Sequence, residues 1–173
     1  MKRRLGVLLW AVAALCSCHS VNAPIQGVQK TVVGWLERVS IAGEHQLILN
    51  AKIDTGADYC SLHVEEIEPF KRKGQKWVRF RAMNRTGESI LLERKVVRTV
   101  RIKRKGAKPQ KRTVIEMGIC LADIYRKVQV NLVDRSGFNF HMLLGRNFLR
   151  GYFRVDPGAQ YTQEPRCPRE SMR

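Results

Sequence analysis

Leu47-Ile48-Leu49-Asn50-Ala51-Lys52-Ile53-Asp54-Thr55-Gly56-Ala57 is the stretch from which the rest of the chain is best read. Residues 47, 49, 51 and 53 are apolar while 50 and 52 are polar, the period of two of a half-buried strand. A carboxylate stands at the strand's end, followed by a hydroxyl and then a glycine that lets the backbone turn and be approached closely. That order suits a reactive site. The same tetrapeptide also suits a strand-to-turn junction capped by an Asp, and so short a string does not choose between the two.

Outward from this stretch the alternation recurs at Trp77 to Ala82, Thr113 to Leu121, Lys127 to Val133 and Phe138 to Leu144, with a further β-rich run at Val96 to Ile102. Turn-forming residues separate them: Asn84-Arg85-Thr86-Gly87, Gly106-Ala107-Lys108-Pro109 and Asp134-Arg135-Ser136-Gly137. Only Leu62 to Phe70 and a short turn at Arg146 to Leu149 read as helical. The expected fold class is therefore all-β, a sandwich or barrel in one domain without internal repeats. Residues 158–173, with two prolines and no apolar periodicity, are expected to lack order.

The chain has 173 residues, 32 Lys+Arg against 15 Asp+Glu, and a formal charge of +17. With 44% hydrophobic residues and only 6 Pro it can build a core, which excludes a disordered polybasic tail. A surplus of cations points to an anionic neighbour, whether nucleic acid, membrane or acidic substrate. Met1-Lys2-Arg3-Arg4, the apolar run Leu5 to Leu15 and the small residues after it form an export signal, too short to span a membrane. Leu15-Cys16-Ser17-Cys18 resembles a lipobox, with Cys18 as the lipidated first residue. The rival cleavage after Ala23, which would leave a soluble periplasmic protein, would put Pro24 directly behind the scissile bond, so residues 1–18 are read as signal and 19–30 as linker.

Removing residues 1–18 takes three basic and no acidic residues, leaving +14 on the domain. An exported protein with 8% aromatics and no recognition motif makes nucleic acid an unsuitable partner. Of the remaining cysteines, Cys60, Cys120 and Cys167 permit one disulfide whose pairing the sequence leaves open.

Downstream, Met142-Leu143-Leu144-Gly145-Arg146-Asn147-Phe148-Leu149 reads as a buried strand, a glycine and a short helix. Together with Asp54-Thr55-Gly56-Ala57-Asp58 it resembles the fingerprint of retropepsin-type aspartic proteases. Residues from about Trp35 to Asp156 also resemble a bacterial family of retropepsin-like endopeptidases that has carried the label of ATP-dependent zinc proteases. The matching segments include Ser61-Leu62-His63, Trp77-Val78-Arg79-Phe80 and Leu132-Val133-Asp134-Arg135-Ser136. The label finds no support in the residues. There is no Gly-x4-Gly-Lys-Ser/Thr loop and no His-Glu-x-x-His, the four histidines are scattered, and His63 with Glu66 suits a satisfied or solvated pair better than a metal. No cofactor and no metal are expected.

The resemblance implies a closed β-barrel over residues 31–157 with one short C-terminal helix, active as a homodimer because each copy supplies one Asp-Thr-Gly. It implies Asp54 as the catalytic carboxylate, Thr55 as a brace between the two loops, and Gly56 as a backbone contact for the substrate. Ala57, Gly145 and an Asp58–Arg146 pair would brace the site. A substrate-covering flap is expected in Trp77 to Glu93, around the turn at residues 84–87, and the basic run Arg94 to Arg112 reads as an added hairpin or a charged loop. The function expected is an exported, lipid-anchored aspartic endopeptidase of the periplasmic side, acting on peptide, with an acidic one favoured by charge. The alternative is a non-catalytic envelope protein docking anionic lipid or cell-wall partners.

Overall fold

The computed structural model describes residues 29–41, 46–104 and 107–168. The expected export signal with Cys18, and most of the linker, lie outside them. Nine strands follow in order: β1 (Thr31–Ile41), β2 (Leu47–Ile53), β3 (Cys60–Arg72), β4 (Gln75–Met83), β5 (Ser89–Arg104), β6 (Ala107–Leu121), β7 (Ile124–Val133), β8 (Met142–Leu144) and β9 (Phe153–Gln160). The described helix is α1 (Arg146–Leu149), a single turn between β8 and β9. The all-β expectation holds.

The strands form one mixed sheet in the order β4-β5-β6-β7-β3-β8-β2-β1-β9, with additional β4–β3 and β6–β1 pairings. The β2–β8, β3–β7 and β1–β9 pairs are parallel. In β2 Leu47, Leu49, Ala51 and Ile53 are buried and Ile48 and Lys52 are exposed, so the alternation that marks the strand also seats it. Phe80, Leu49, Leu62, Met117, Leu144 and Phe148 are all but fully buried at the centre of the core. Burial of this apolar surface is the main force holding the sheet together.

Leu62 to Phe70 is strand, not helix. A register shift between Glu65 and Glu68, with Glu66 at φ 50°, inserts residues into β3 where it pairs with β4. The bulge breaks the period of two and spaces Leu62, Val64, Ile67 and Phe70 in a way that imitates a helical face. The strand expected at Phe138 to Leu144 is confined to Met142–Leu144.

The expectation of disorder from residue 158 also gives way. β9 runs through Gln160 and lies so close to β1 that a Cβ on Gly34 would come within 2.2 Å of the Ala159 carbonyl oxygen. Beyond it, the fully buried carboxylate of Glu37 accepts hydrogen bonds from the backbone N–H of Gly34 (2.6 Å), Thr162 (3.1 Å) and Gln163 (3.2 Å), and from the Thr162 hydroxyl (2.6 Å). A buried charge is tolerated when its oxygens are satisfied in this way. Arg166 N–H donates to the Ala122 carbonyl, and Cys120 and Cys167 form a disulfide. The pairing left open by the sequence is thus 120 with 167, and Cys60 is free. Replacing Cys120 and Cys167 together with serine should lower stability by about 2–4 kcal/mol in urea unfolding. An unchanged midpoint would show that the Glu37 bonds hold the tail without the disulfide.

Candidate active site

Asp54 leaves the end of β2 beside β8, its N–H donating to the Leu144 carbonyl at 2.9 Å. The chain then turns on itself. Gly56 N–H donates to Asp54 Oδ1 at 3.0 Å, Ala57 N–H donates to the Asp54 carbonyl at 3.3 Å, and Lys52 Nζ stands 4.0 Å from Asp54 Oδ2. The carboxylate is thereby aimed by its own loop, with its side chain 28% exposed. Thr55 and Gly56 are exposed at the loop's tip.

The start of α1 clasps this loop from behind. Arg146 N–H donates to the Ala57 carbonyl (2.8 Å) and Asn147 N–H to the Asp58 carbonyl (3.0 Å). Arg146 Nη1 reaches the carbonyls of Thr55 (2.8 Å) and Gly56 (2.9 Å), and its Nη2 pairs with the Asp58 carboxylate. The planar fork explains why arginine suits this position, since one lysine ammonium could not hold three acceptors in that geometry. Gly145 permits the approach, because a Cβ there would lie 2.7 Å from the Tyr59 carbonyl carbon. The residues read from the sequence as Asp54, Thr55, Gly56, Ala57, Asp58, Gly145 and Arg146 therefore converge on one loop and its clasp.

Sequence reading gave Asn147 no role of its own. Its Oδ1 accepts from Cys60 N–H at 3.0 Å, and its Nδ2 donates to the Gln129 carbonyl at 2.8 Å, tying the loop's exit to β7. Its place after Gly145-Arg146 is the only signal that could have marked it. Cys60 is buried, and that burial pushes its thiol up to about 12, which makes it inert.

The turn at residues 84–88 is a hairpin as expected, linking β4 to β5, but it does not overhang Asp54. Asn84 Nδ2 donates to the Ile48 carbonyl at 3.3 Å, and Ile48 lies six residues up β2 from Asp54, roughly 20 Å along an extended strand. The basic run does form a hairpin, β5–β6, paired from Val96↔Ile115 to Arg104↔Ala107. His63, expected to be satisfied or solvated beside Glu66, is satisfied: it is 3% exposed, accepts Arg135 N–H on Nδ1 at 2.9 Å and lies tilted 4.5 Å from the His141 ring, with Glu65 rather than Glu66 as its neighbouring carboxylate at 3.7 Å.

The RimB-like family model, described as retropepsin-like aspartic endopeptidase RimB, matches residues 32–166. The chain belongs to this family. A solved Legionella pneumophila subsp. pneumophila str. Philadelphia 1 protein of unknown function shares the RimB-like chain's fold at a TM-score of 0.68 and 32% identity, covering 79% of this chain and 100% of its own. A Shewanella pealeana protein named "Probable alpha-L-glutamate ligase" is 34% identical over 116 residues, which are 65% of this chain and 25% of that protein. A Parasynechococcus marenigrum protein of the same name is 29% identical, over 77% of this chain and 29% of its own length. The chain thus spans less than a third of these curated relatives.

Two outcomes follow from this RimB-like site. Arg146→Lys keeps the charge and loses the fork, so it should cost about 0.5–1.5 kcal/mol of stability in thermal unfolding, as expected for hydrogen bonds to solvent-exposed carbonyls. His63 is held below 6.5 first by burial and then by the His141 ring, although Asp134 and Glu65 pull the other way. The unfolded chain binds that proton more readily than the folded one, so stability should decline as pH falls through 6.5 and level off below the folded midpoint. NMR titration should place the His63 midpoint below 6.5, and His63→Asn should flatten this part of the pH dependence.

Proposed function

We propose that the chain is an aspartic endopeptidase in which two copies bring their Asp54 carboxyls together and hydrolyse a peptide bond with an activated water. The observation that carries this reading is the aimed and clasped Asp54 loop, in a chain of a retropepsin-like endopeptidase family. A lone carboxylate cannot do the reaction. Two carboxyls ~3 Å apart share one proton, since both cannot ionise at that distance; the ionised one takes a proton from water and the other protonates the carbonyl oxygen under attack. Each copy carries one Asp-Thr-Gly, so an isologous dimer with Asp54 beside its twofold axis supplies the pair. Thr55 would brace the two loops and Gly56 would contact the substrate backbone.

The two additional strand pairings, β4–β3 and β6–β1, support reading the sheet as a closed barrel. The β5–β6 hairpin, rather than the turn at 84–88, is the element suited to close over an extended peptide. An acidic peptide is the substrate that the surplus of cations favours, and relatives named for glutamate ligation make glutamate-rich chains the natural candidate. Those names describe proteins of which this chain matches 25% to 29%, so ligation itself is not carried over. We place the enzyme on the periplasmic side of the envelope, lipid-anchored at Cys18. A non-catalytic docking role on anionic lipid has the same cations in its favour and leaves the aimed Asp54 without a use.

Asp54→Asn should reduce cleavage of an acidic peptide to the level of a protein-free blank while sedimentation still shows the dimer. Undiminished turnover, or a wild-type chain that stays monomeric at all working concentrations, would end the reading. Cleavage of acidic peptides should also weaken as salt rises, through KM rather than kcat.

A further inference from the structure

Strands β4, β5, β6, β7 and β3 pair in that order, and the β4–β3 pairing returns the series to its start. A cavity of about 560 Å³ opens among these five strands, each of which contributes to its lining. The strand that carries Asp54 at its end, β2, is not among them, and neither the Asp54 loop nor the clasp from Gly145 to Asn147 lines the cavity. Lys71, at its rim, lies eleven residues beyond Cys60 on β3, on the order of 30 Å along the strand from the loop's exit.

Register explains what gathers there. Lys71 stands directly opposite Lys76 across β3–β4, and Thr113 stands opposite both Thr99 on β5 and Leu132 on β7. Lys111 precedes Thr113 by two residues and so shares its face of β6. Three ammoniums therefore rim a cavity whose wall is apolar at Ile67, Val96 and Leu132. Among the described residues no carboxylate lines it, and Lys71, Lys76 and Lys111 have no carboxylate partner. The acidic residues of the adjoining strands are engaged elsewhere: Glu66 holds Arg81, and Glu68 and Glu93 hold Arg79. Like charges directly opposite one another destabilise a strand pair unless an anion comes between them.

We propose that this cavity binds a single-chain acyl anion, a fatty-acid carboxylate, with its chain against Ile67, Val96 and Leu132 and its head among Lys71, Lys76 and Lys111. The inference goes beyond the endopeptidase reading and does not rest on it. An apolar wall alone accepts any oil-like molecule, and lysines alone accept any small anion; the two together select a molecule that has both parts. The volume falls in the range of small-molecule sites and suits one chain rather than a two-chained membrane lipid. Lysine stems can lie along the apolar wall while their ammoniums meet the carboxylate, which is how a flexible cation serves an amphiphile. Trp77 lines the same cavity, so its indole fluorescence reports occupancy.

The test titrates the full chain with hexanoate, octanoate and decanoate below their micelle-forming concentrations, and with decanol as the neutral twin, by calorimetry and tryptophan fluorescence. We expect about one decanoate per chain, an affinity that rises about twofold to fourfold per added methylene, and decanol bound about tenfold or more weakly than decanoate. Lys71→Gln, Lys76→Gln and Lys111→Gln, all at exposed positions where the fold tolerates the change, should each weaken decanoate about threefold to tenfold and leave decanol unaltered. Ile67→Ser should flatten the dependence on chain length, and Trp77→Phe should remove the fluorescence response while calorimetry still registers binding. Decanoate binding that ignores all three lysine substitutions, or that takes up many molecules per chain, would overturn the site. Lysine-dependent binding to phosphatidylglycerol vesicles by a chain that ignores free decanoate would also overturn it, and would make this face a membrane contact instead.

Discussion

Everything proposed for this chain depends on how Arg146 holds the loop that follows β2. A backbone that reverses within Asp54 to Asp58 leaves its carbonyls pointing outward, away from any strand partner. Arg146 collects those of Thr55 and Gly56 and the Asp58 carboxylate with one guanidinium, while its own N–H and that of Asn147 take the next two carbonyls. The loop is thereby rigid without being buried, and rigidity at the surface is what a carboxylate needs if it must meet a partner from another copy. Gly145 is the enabling detail, because any side chain there would press on Tyr59 and push the clasp away.

The fold around this clasp is a series of strands whose registers carry side chains from distant parts of the chain to common faces. Lys71, Lys76 and Lys111 come from β3, β4 and β6 to the rim of one cavity. The net charge of +17, which at first suggests nucleic acid, acquires a more local meaning in this arrangement. Some of the cations neutralise carboxylates on the β3–β4–β5 surface, as Arg79 and Arg72 do with Glu93.

The site was legible where its residues are contiguous. Alternation over 47–53 leads into Asp54-Thr55-Gly56, and Leu144-Gly145-Arg146 announces its partner, because both halves are local patterns. Sequence reading failed where pairing is decided at a distance. The β3 bulge at Glu65–Glu68 disguised a strand as a helix, and the 84–87 turn looked like a flap because nothing local says which end of β2 it faces. The last strand, Phe153–Gln160, contains Pro157 and Gly158 and exists through its pairing with β1, while the tail beyond it is ordered by Glu37 and Cys120, over a hundred and 47 residues away respectively.

The central claim is that chemistry needs one Asp54 from each of two copies, and mixing wild-type chains with Asp54→Asn chains tests it directly. After co-refolding in equal amounts so that dimers form at random, the account predicts about one quarter of the activity of the same total concentration of wild-type protein, because only dimers with two carboxyls work. Activity near one half would mean that each copy acts by itself, and would contradict the account.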